Sequence, residues 1–460
     1  MGKPHAVVVP FPAQGHVLPL TELSHRLVDN GFRVTMVCTE FDKARILAAS
    51  KKEEHQGMEG ISFASVPDGL ETDDDRGDVG LLCKFVLEDL EPLLEDLFRR
   101  IHEREEDKIS CVIADVCAPP ASSVAKKMGL PTYGFCPASA ANLALCFHIP
   151  KLIESGIIVG ENGTILEEQI IQISPTIPEM STRYFAWNCL PDPRASRLIY
   201  RLMIEVTRIP ALVDRILCNC FRGLESPALD WIPKAVPIGP LLPPKRPVTK
   251  PVAHFWAEDP SCLTWLDQQQ DRSVIYVSFG SFTLLNQAQF EELAAGLEQS
   301  GRPFLWVVRP NLMSGSAVAY PENFLDRVGE RGKMVSWAPQ QKVLAHRAVA
   351  CFVSHCGWNS TMEGLSNGVP FLCWPYFSDQ FLDMKYICEV WKTGLELKAD
   401  ENGIITREEI RRMVGALLCD EGIETRASKM KETAEEAVGG GGTSRKNFDD
   451  FIEEIKRRHV

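Results

Sequence analysis

The sequence predicts an α/β protein built on parallel sheets and divided into two similar halves. Three observations carry this. His5 to Pro10 is a short Val-rich apolar run; a turn follows at Phe11-Pro12-Ala13-Gln14-Gly15-His16, then a helix-spaced segment from Val17 to Asn30 and a second apolar run from Phe32 to Cys38. Strand, helix and strand in that order form a β-α-β unit, and such units build parallel sheets. The same rhythm restarts at Val274 to Ser278, with a tight turn at Phe279-Gly280-Ser281, an amphipathic helix from Gln287 to Gln299 and a strand from Phe304 to Val308. Between the two, Leu241 to Pro260 carries Pro243, Pro244, Pro247 and Pro251 among basic residues, the composition of a semi-rigid exposed linker. A chain of 460 residues exceeds one ordinary core. The predicted division is 1–240, a linker at 241–260, a second domain at 261–438, and a hinge with a final helix at 439–460.

Each element has its own warrant. Leu20, Leu23, Leu27 and Val28 fall on one helical face, and Asn30-Gly31 is a C-cap pair. His16 then stands at the carboxyl end of the first strand, where open α/β sheets bind ligands. Phe63 to Val66 is a weaker strand, followed by Pro67-Asp68-Gly69 and the acidic Glu71, Asp73, Asp74 and Asp75. These aspartates match a D-x-D metal clamp in pattern, but turn residues on both sides favour a solvated loop. Ile109 to Ala114 is a buried strand ending at Asp115. A carboxylate there either pairs with a cationic partner or caps a turn, and the residues alone leave both open. Ala138 to Arg208 has few sheet signals and carries Phe147, His148, Tyr184, Phe185 and Trp187, so it is expected to be a loop-rich insert that can wall an acceptor pocket, although each aromatic by itself reads as core. Ile216 to Phe221 restores a strand, and Val236 to Pro240 closes the first half. In the second half, Ala350 to Ser354 reads as a strand, Phe381 to Trp391 and Arg407 to Leu418 as helices, Gly439 to Gly442 as a hinge, and Asn447 to Lys456 as a last amphipathic helix.

Composition excludes several classes. With 45% apolar and 24% charged residues the chain is globular, and a formal charge of −13 argues against nucleic acid or an anionic membrane as a partner. The 15 cysteines are scattered, several inside apolar runs (Cys38, Cys111, Cys351), and none form paired C-x-x-C sets. They read as buried reduced thiols, which points to the cytoplasm. No segment has the form of a secretory leader, Ala6 breaks the myristoylation pattern, and no apolar run reaches the ~18 residues of a membrane span. Neither first strand is followed by G-x-G-x-x-G, and no P-loop lysine is present, which weighs against a dinucleotide cofactor and an oxidoreductase. No cofactor is expected, and a monomer is the default.

The most informative stretch runs from Trp337 to Gln380. Its strand leads through His355-Cys356-Gly357 into a helix opened by Trp358 and Asn359. A helix start offers unpaired N–H groups and a positive dipole end, and a neighbouring glycine lets a phosphate approach the backbone. His355, Asn359 and Ser360 can add side-chain donors. Glu363, one turn on from Asn359, can accept bonds from a vicinal diol. Trp337 offers a π face for a base and the Ala338 backbone can read its edge, while Asp379-Gln380 close the stretch with a polar pair.

This stretch resembles the donor-binding box of plant UDP-sugar-dependent glycosyltransferases, through Trp337-Ala338-Pro339-Gln340, His355-Cys356-Gly357-Trp358-Asn359-Ser360, Glu363 and Asp379-Gln380. The resemblance continues in Phe11-Pro12-Ala13-Gln14-Gly15-His16, Val236-Pro237-Ile238-Gly239-Pro240, Trp265-Leu266-Asp267 and Val277-Ser278-Phe279-Gly280-Ser281, and so covers essentially the whole chain. It implies the GT-B fold, two Rossmann-like domains facing across a cleft, with the acceptor on the first, the donor on the second, and the last helix crossing back to the first. It implies that His16 is the general base, oriented by Asp115, in an inverting displacement that needs no metal. It further implies that Trp337 and Ala338 serve the uracil, Glu363 the ribose, Ser281, His355, Asn359 and Ser360 the diphosphate, and Trp358, Asp379 and Gln380 the sugar, with Gln340 among the donor-binding residues. A terminal Gln in this box goes with glucose, so UDP-glucose is the expected co-substrate and the acceptor a small lipophilic plant metabolite, with a phenolic or flavonoid-like hydroxyl favoured. The same chemistry with galactose, xylose or rhamnose, a terpenoid, hormone or carboxyl acceptor, and a non-catalytic UDP-sugar sensor are the rivals. One departure stands out: Pro137 follows Phe135-Cys136 where several flavonoid-acting members carry Thr, so the sugar contact made by that Thr is missing or supplied elsewhere.

Overall fold

The computed structural model describes residues 2–49, 60–71, 76–104, 108–242, 255–313 and 319–459. The chain forms two compact units. One comprises Met1–Trp256 with Phe377–Asp379 and Glu436–Val460, the other Ala257–Tyr376 and Gln380–Glu435. The linker prolines and Asp73 to Asp75 lie outside the described residues.

The first unit is organised on β1 (His5–Val9), β2 (Arg33–Thr39), β3 (Ile61–Val66), β4 (Cys111–Asp115) and β5 (Thr132–Cys136). A two-residue antiparallel pair, β6 (Ile170–Ile171) with β7 (Met180–Ser181), stands apart, and β8 (Arg215–Cys218) and β9 (Ala235–Pro237) complete the sheet. The sheet order is β3-β2-β1-β4-β5-β8-β9, with every pairing parallel. Every residue of β1, β4 and β5 is buried, as expected of strands covered on both faces. The helix Gln14–Asp29 lays Val17, Leu20, Leu23 and Leu27 on the sheet and ends where Gly31 takes φ +89°. The last helix, Thr443–His459, carries Phe448, Phe451, Ile452 and Ile455 at i, i+3, i+4 and i+7, and all four lie in the same core as β1, β4 and β5. Its Glu454 accepts a hydrogen bond from the Tyr133 hydroxyl at 3.2 Å and pairs with Arg215 at 2.7 Å.

The second unit repeats the plan with β10 (Val274–Ser278), β11 (Phe304–Val307), β12 (Gly332–Val335), β13 (Val349–Ser354), β14 (Phe371–Cys373) and β15 (Gly394–Glu396). Its order is β12-β11-β10-β13-β14-β15, again all parallel. Counted from its own first strand this is 3-2-1-4-5-6, and the first sheet begins in the same way. Both are doubly wound sheets, whose strand order reverses between the first and fourth strands and opens a ligand crevice at their carboxyl ends. The crevices lie at β1/β4 and at β10/β13.

Three parts differ from the sequence reading. Ala138 to Arg208 is loop-rich only in its middle, 155–192, and is bounded by the helices Ala140–Glu154 and Pro193–Val206. The first helix is apolar on most of its surface, which blurs the helical period, and its start is fixed from far away by buried Glu225, which accepts from the Ala140 and Ala141 N–H groups at 2.9 and 3.0 Å. Phe185 and Trp187 are buried, with ring centroids 4.9 Å apart, and so belong to the core, as each reads by itself in the sequence. The strand read as Ile216 to Phe221 runs over Arg215–Cys218; the Asn219 N–H still donates to the Cys136 carbonyl at 3.0 Å, while its Oδ1 accepts from the Leu241 N–H at 2.9 Å. The helix read from Phe381 to Trp391 is α-helical only over Gln380–Lys385 and widens into a π turn at Tyr386–Val390.

Candidate active site

At the β1/β4 crevice, β4 ends on Asp115 and the first turn after β1 carries His16. Their side chains meet: His16 Nδ1 and Asp115 Oδ2 are 2.8 Å apart. Asp115 is fully buried, while the His16 side chain keeps about a quarter of its surface exposed. The other carboxylate oxygen accepts from the Cys117 N–H at 2.8 Å, which fixes the rotamer. An ionised carboxylate only accepts, so the Nδ1 hydrogen points to Asp115 and Nε2 is left as the acceptor. Burial disfavours the imidazolium, but the charge and hydrogen bond of Asp115, with a smaller contribution from Asp379, outweigh it and raise His16 above the ordinary imidazole value. Phe11, on the turn between β1 and the helix, packs its ring 5.0 Å from the imidazole.

Among the described residues, His16, Asp115 and Cys117 form a group with metal-ligating spacing, their atoms within 4.8 Å of one another. Burial, then the Asp115 charge, push the Cys117 thiol well above its ordinary value. A metal takes the thiolate. This donor set therefore suits hydrogen bonding better than ligation.

At the β10/β13 crevice, Gly280 follows β10 and His355 follows β13. Gly280 has φ +65°, and a Cβ built there would lie 2.6 Å from His355 Nε2; one on Gly357 would lie 2.5 Å away. Only glycine fits on either side of this ring. Burial, then the charge of Arg309, drop the His355 pKa to about 4, against a hydrogen bond to the Ser278 backbone, so the ring is neutral at physiological pH. Its Nδ1 is buried without a hydrogen-bond partner among the described residues.

The helix Trp358–Asn367 opens immediately beyond. Gly357 occupies its N-cap and contributes no side-chain cap, so no side chain of the cap covers the first-turn N–H groups. Trp358 turns its ring into the interior, 6.4 Å from Trp391, which leaves its backbone at the helix mouth. Ser360 on the first turn and Glu363 on the next are buried and are joined by Gln340, whose Nε2 donates to Ser360 Oγ at 2.8 Å and to Glu363 Oε2 at 2.7 Å. Gln341 donates to Glu363 Oε1 at 3.0 Å, and the Tyr276 hydroxyl donates to Gln340 Oε1 at 3.0 Å. Burial raises Glu363 to about 7, against these amide bonds.

Trp337 is half-buried before Ala338, and its carbonyl accepts from the Asp259 N–H at 2.9 Å. Gln380 is buried and accepts from the Tyr376 N–H at 2.8 Å, while Asp379 clusters with the first unit. Ser281 lies on the turn after β10, its carbonyl bound by Arg309 at 2.8 Å.

Of the residues singled out in the sequence, His16 and Asp115 meet at one switch point, Ser281 and His355 follow the two strands of the other, and Gln340, Ser360 and Glu363 form one hydrogen-bonded set, whereas Trp337 and Ala338 follow β12 and Asp379-Gln380 follow β14. Sequence reasoning missed Gln341, Tyr276 and Arg309. The Gln340-Gln341 doublet was a visible signal for the first; the other two depend on tertiary burial.

A carboxylate-held imidazole at one doubly wound sheet and a glycine-framed helix mouth at another define a nucleotide-dependent group transferase. Residues 251–425 match the family model "UDP-glucoronosyl and UDP-glucosyl transferase". The chain is 41% identical to UDP-glycosyltransferase 83A1 of Arabidopsis thaliana, across 99% of this chain and 97% of that protein. It is 35% identical to linamarin synthase 1 of Manihot esculenta, across 98% and 97%. Among solved structures, a UDP-glucosyltransferase from Polygonum tinctorium capable of glucosylating indoxyl superposes with a TM-score of 0.82 at 28% identity, covering 99% of each chain. UGT2 of Phytolacca americana, complexed with UDP-2fluoro-glucose and pterostilbene, gives 0.78 at 28% over 99% of each. The chain belongs to the plant UDP-glycosyltransferases, with the GT-B fold, and transfers a sugar from a UDP-sugar to small plant metabolites. Among the described residues no helix is long and apolar enough to cross a membrane.

Proposed function

We propose that this enzyme transfers glucose from UDP-glucose to a hydroxyl of a small lipophilic metabolite, a phenolic one by preference, with inversion at the anomeric carbon. The observation that carries the mechanism is the 2.8 Å His16–Asp115 pair. With Nδ1 committed to Asp115, Nε2 takes the acceptor proton as the oxygen attacks the anomeric carbon, and Asp115 stabilises the imidazolium that forms. The bond to UDP breaks on the opposite face, so an α-linked donor gives a β-glycoside.

The second unit receives the donor. Trp337 stacks on uracil, with the Ala338 backbone at its edge; Glu363, held by Gln340 and Gln341, keeps acceptor capacity on both oxygens for the ribose diol. Ser281, His355, Asn359 and Ser360 with the helix mouth take the diphosphate and stabilise the departing charge. Trp358, through its backbone, and Asp379 with Gln380 orient the sugar. Gln380 favours glucose, and competition among UDP-sugars with one acceptor tests that choice. All 15 cysteines are unpaired, which suits a reducing cytoplasm.

His16→Ala tests the base. Turnover should fall by about two to four orders of magnitude while UDP still binds. Near-wild-type turnover in this variant would refute the assignment.

A further inference from the structure

We propose that Arg309 supplies the positive charge that offsets the donor's diphosphate, and that it fixes the turn after β10 that receives it. This inference rests on the reading that a UDP-sugar occupies the β10/β13 crevice. Arg309 lies just past β11 and is 1% exposed. Its partners are all neutral: Nη1 donates to the Ser281 carbonyl at 2.8 Å and to Asn311 Oδ1 at 3.1 Å, and Nη2 donates to the Thr283 carbonyl. Among the described residues no carboxylate pairs with it. A guanidinium in that position is costly unless an anion completes it.

The carbonyls it holds belong to the turn that begins at Gly280, whose missing Cβ makes room for His355. The charge of Arg309 is also felt at His355, which it helps to keep neutral. His355 can therefore offer the phosphates a hydrogen bond but no net charge. Arg309 stands behind it as the cation, shielded from water and so little weakened by salt. It is a positioning residue, acting through the Ser281 to Thr283 turn and through space.

The test compares UDP with uridine, which shares the base and ribose but lacks the phosphates. Calorimetric titration of wild type, R309Q and R309K is expected to show R309Q weakening UDP about tenfold or more with uridine unchanged, and R309K keeping most of the preference for UDP. In R309K that preference should fade between about pH 7.5 and about pH 10, as the buried amine loses its proton. This second readout holds even where R309Q fails to fold. Equal loss of UDP and uridine in R309Q, or an R309K preference flat across that range, overturns the proposal. A wild type that binds no UDP would instead overturn the donor-site reading, whereas intact UDP binding in R309Q sinks only this one.

Discussion

Two histidines stand at the two switch points, and their surroundings drive them in opposite directions. His16 faces a buried carboxylate and is raised; His355 lies between two glycines near a buried guanidinium and is lowered to about 4. The backbone plan is the same at both places, down to the strand order. What separates the two rings is the charge that the sheet places beside each: the Asp115 carboxylate makes the raised imidazole the stronger base, whereas the depressed one remains a neutral hydrogen-bonding group. One architecture thus holds a raised imidazole in one unit and a lowered one in the other, which the proposed function uses as base and anion seat.

Exchanging these surroundings should exchange the behaviour. The largest effect is expected from Asp115→Asn. Loss of the orienting carboxylate should lower kcat about a hundredfold or more. Because Asp115 raises the His16 pKa, its removal should also move the acid limb of the kcat/KM profile to lower pH; a limb that stays in place would separate the two residues. Next, Gly280→Ala places a methyl against the His355 ring at a positive φ. It should raise the donor KM about tenfold, with the acid limb set by His16 unmoved. The smallest effect concerns Glu363, raised to about 7 in the free protein. On the proposed reading ribose hydroxyls donate to its ionised form, so UDP binding should release a proton. Affinity should be full above about pH 7 and fall a few-fold as pH drops through that value, and Glu363→Gln should flatten the dependence measured by titration.

Much of this was legible in the sequence because it is local. The Val-rich β1, the Gly280 turn and the passage from β13 through Gly357 into a helix are written in adjacent residues, as is the helix Arg407–Leu418, entered through the Thr406 cap. The His16–Asp115 pairing was legible only through family resemblance, since residue types alone left Asp115 between a pair and a cap. What stayed hidden depends on partners distant in sequence. The start of the helix Ala140–Glu154 is held by Glu225, and the helix Glu421–Val438 buries chiefly alanines with Ile423, too faint a stripe to read. Arg309, next to a proline at the end of an apolar strand, reads as an exposed turn residue until the turn after β10 closes over it.

The placement of the last helix has a consequence for biosynthesis. Phe448, Phe451, Ile452 and Ile455 fill the core of the unit that begins at the N-terminus, a burial amounting to about 6–12 kcal/mol before entropic costs. The unit translated first is therefore completed last, after the whole second sheet has left the ribosome. A nascent chain must shelter the apolar ground beneath β1, β4 and β5 until the helix Thr443–His459 has been made, and a chain cut short before that helix would damage the unit translated ahead of the second sheet.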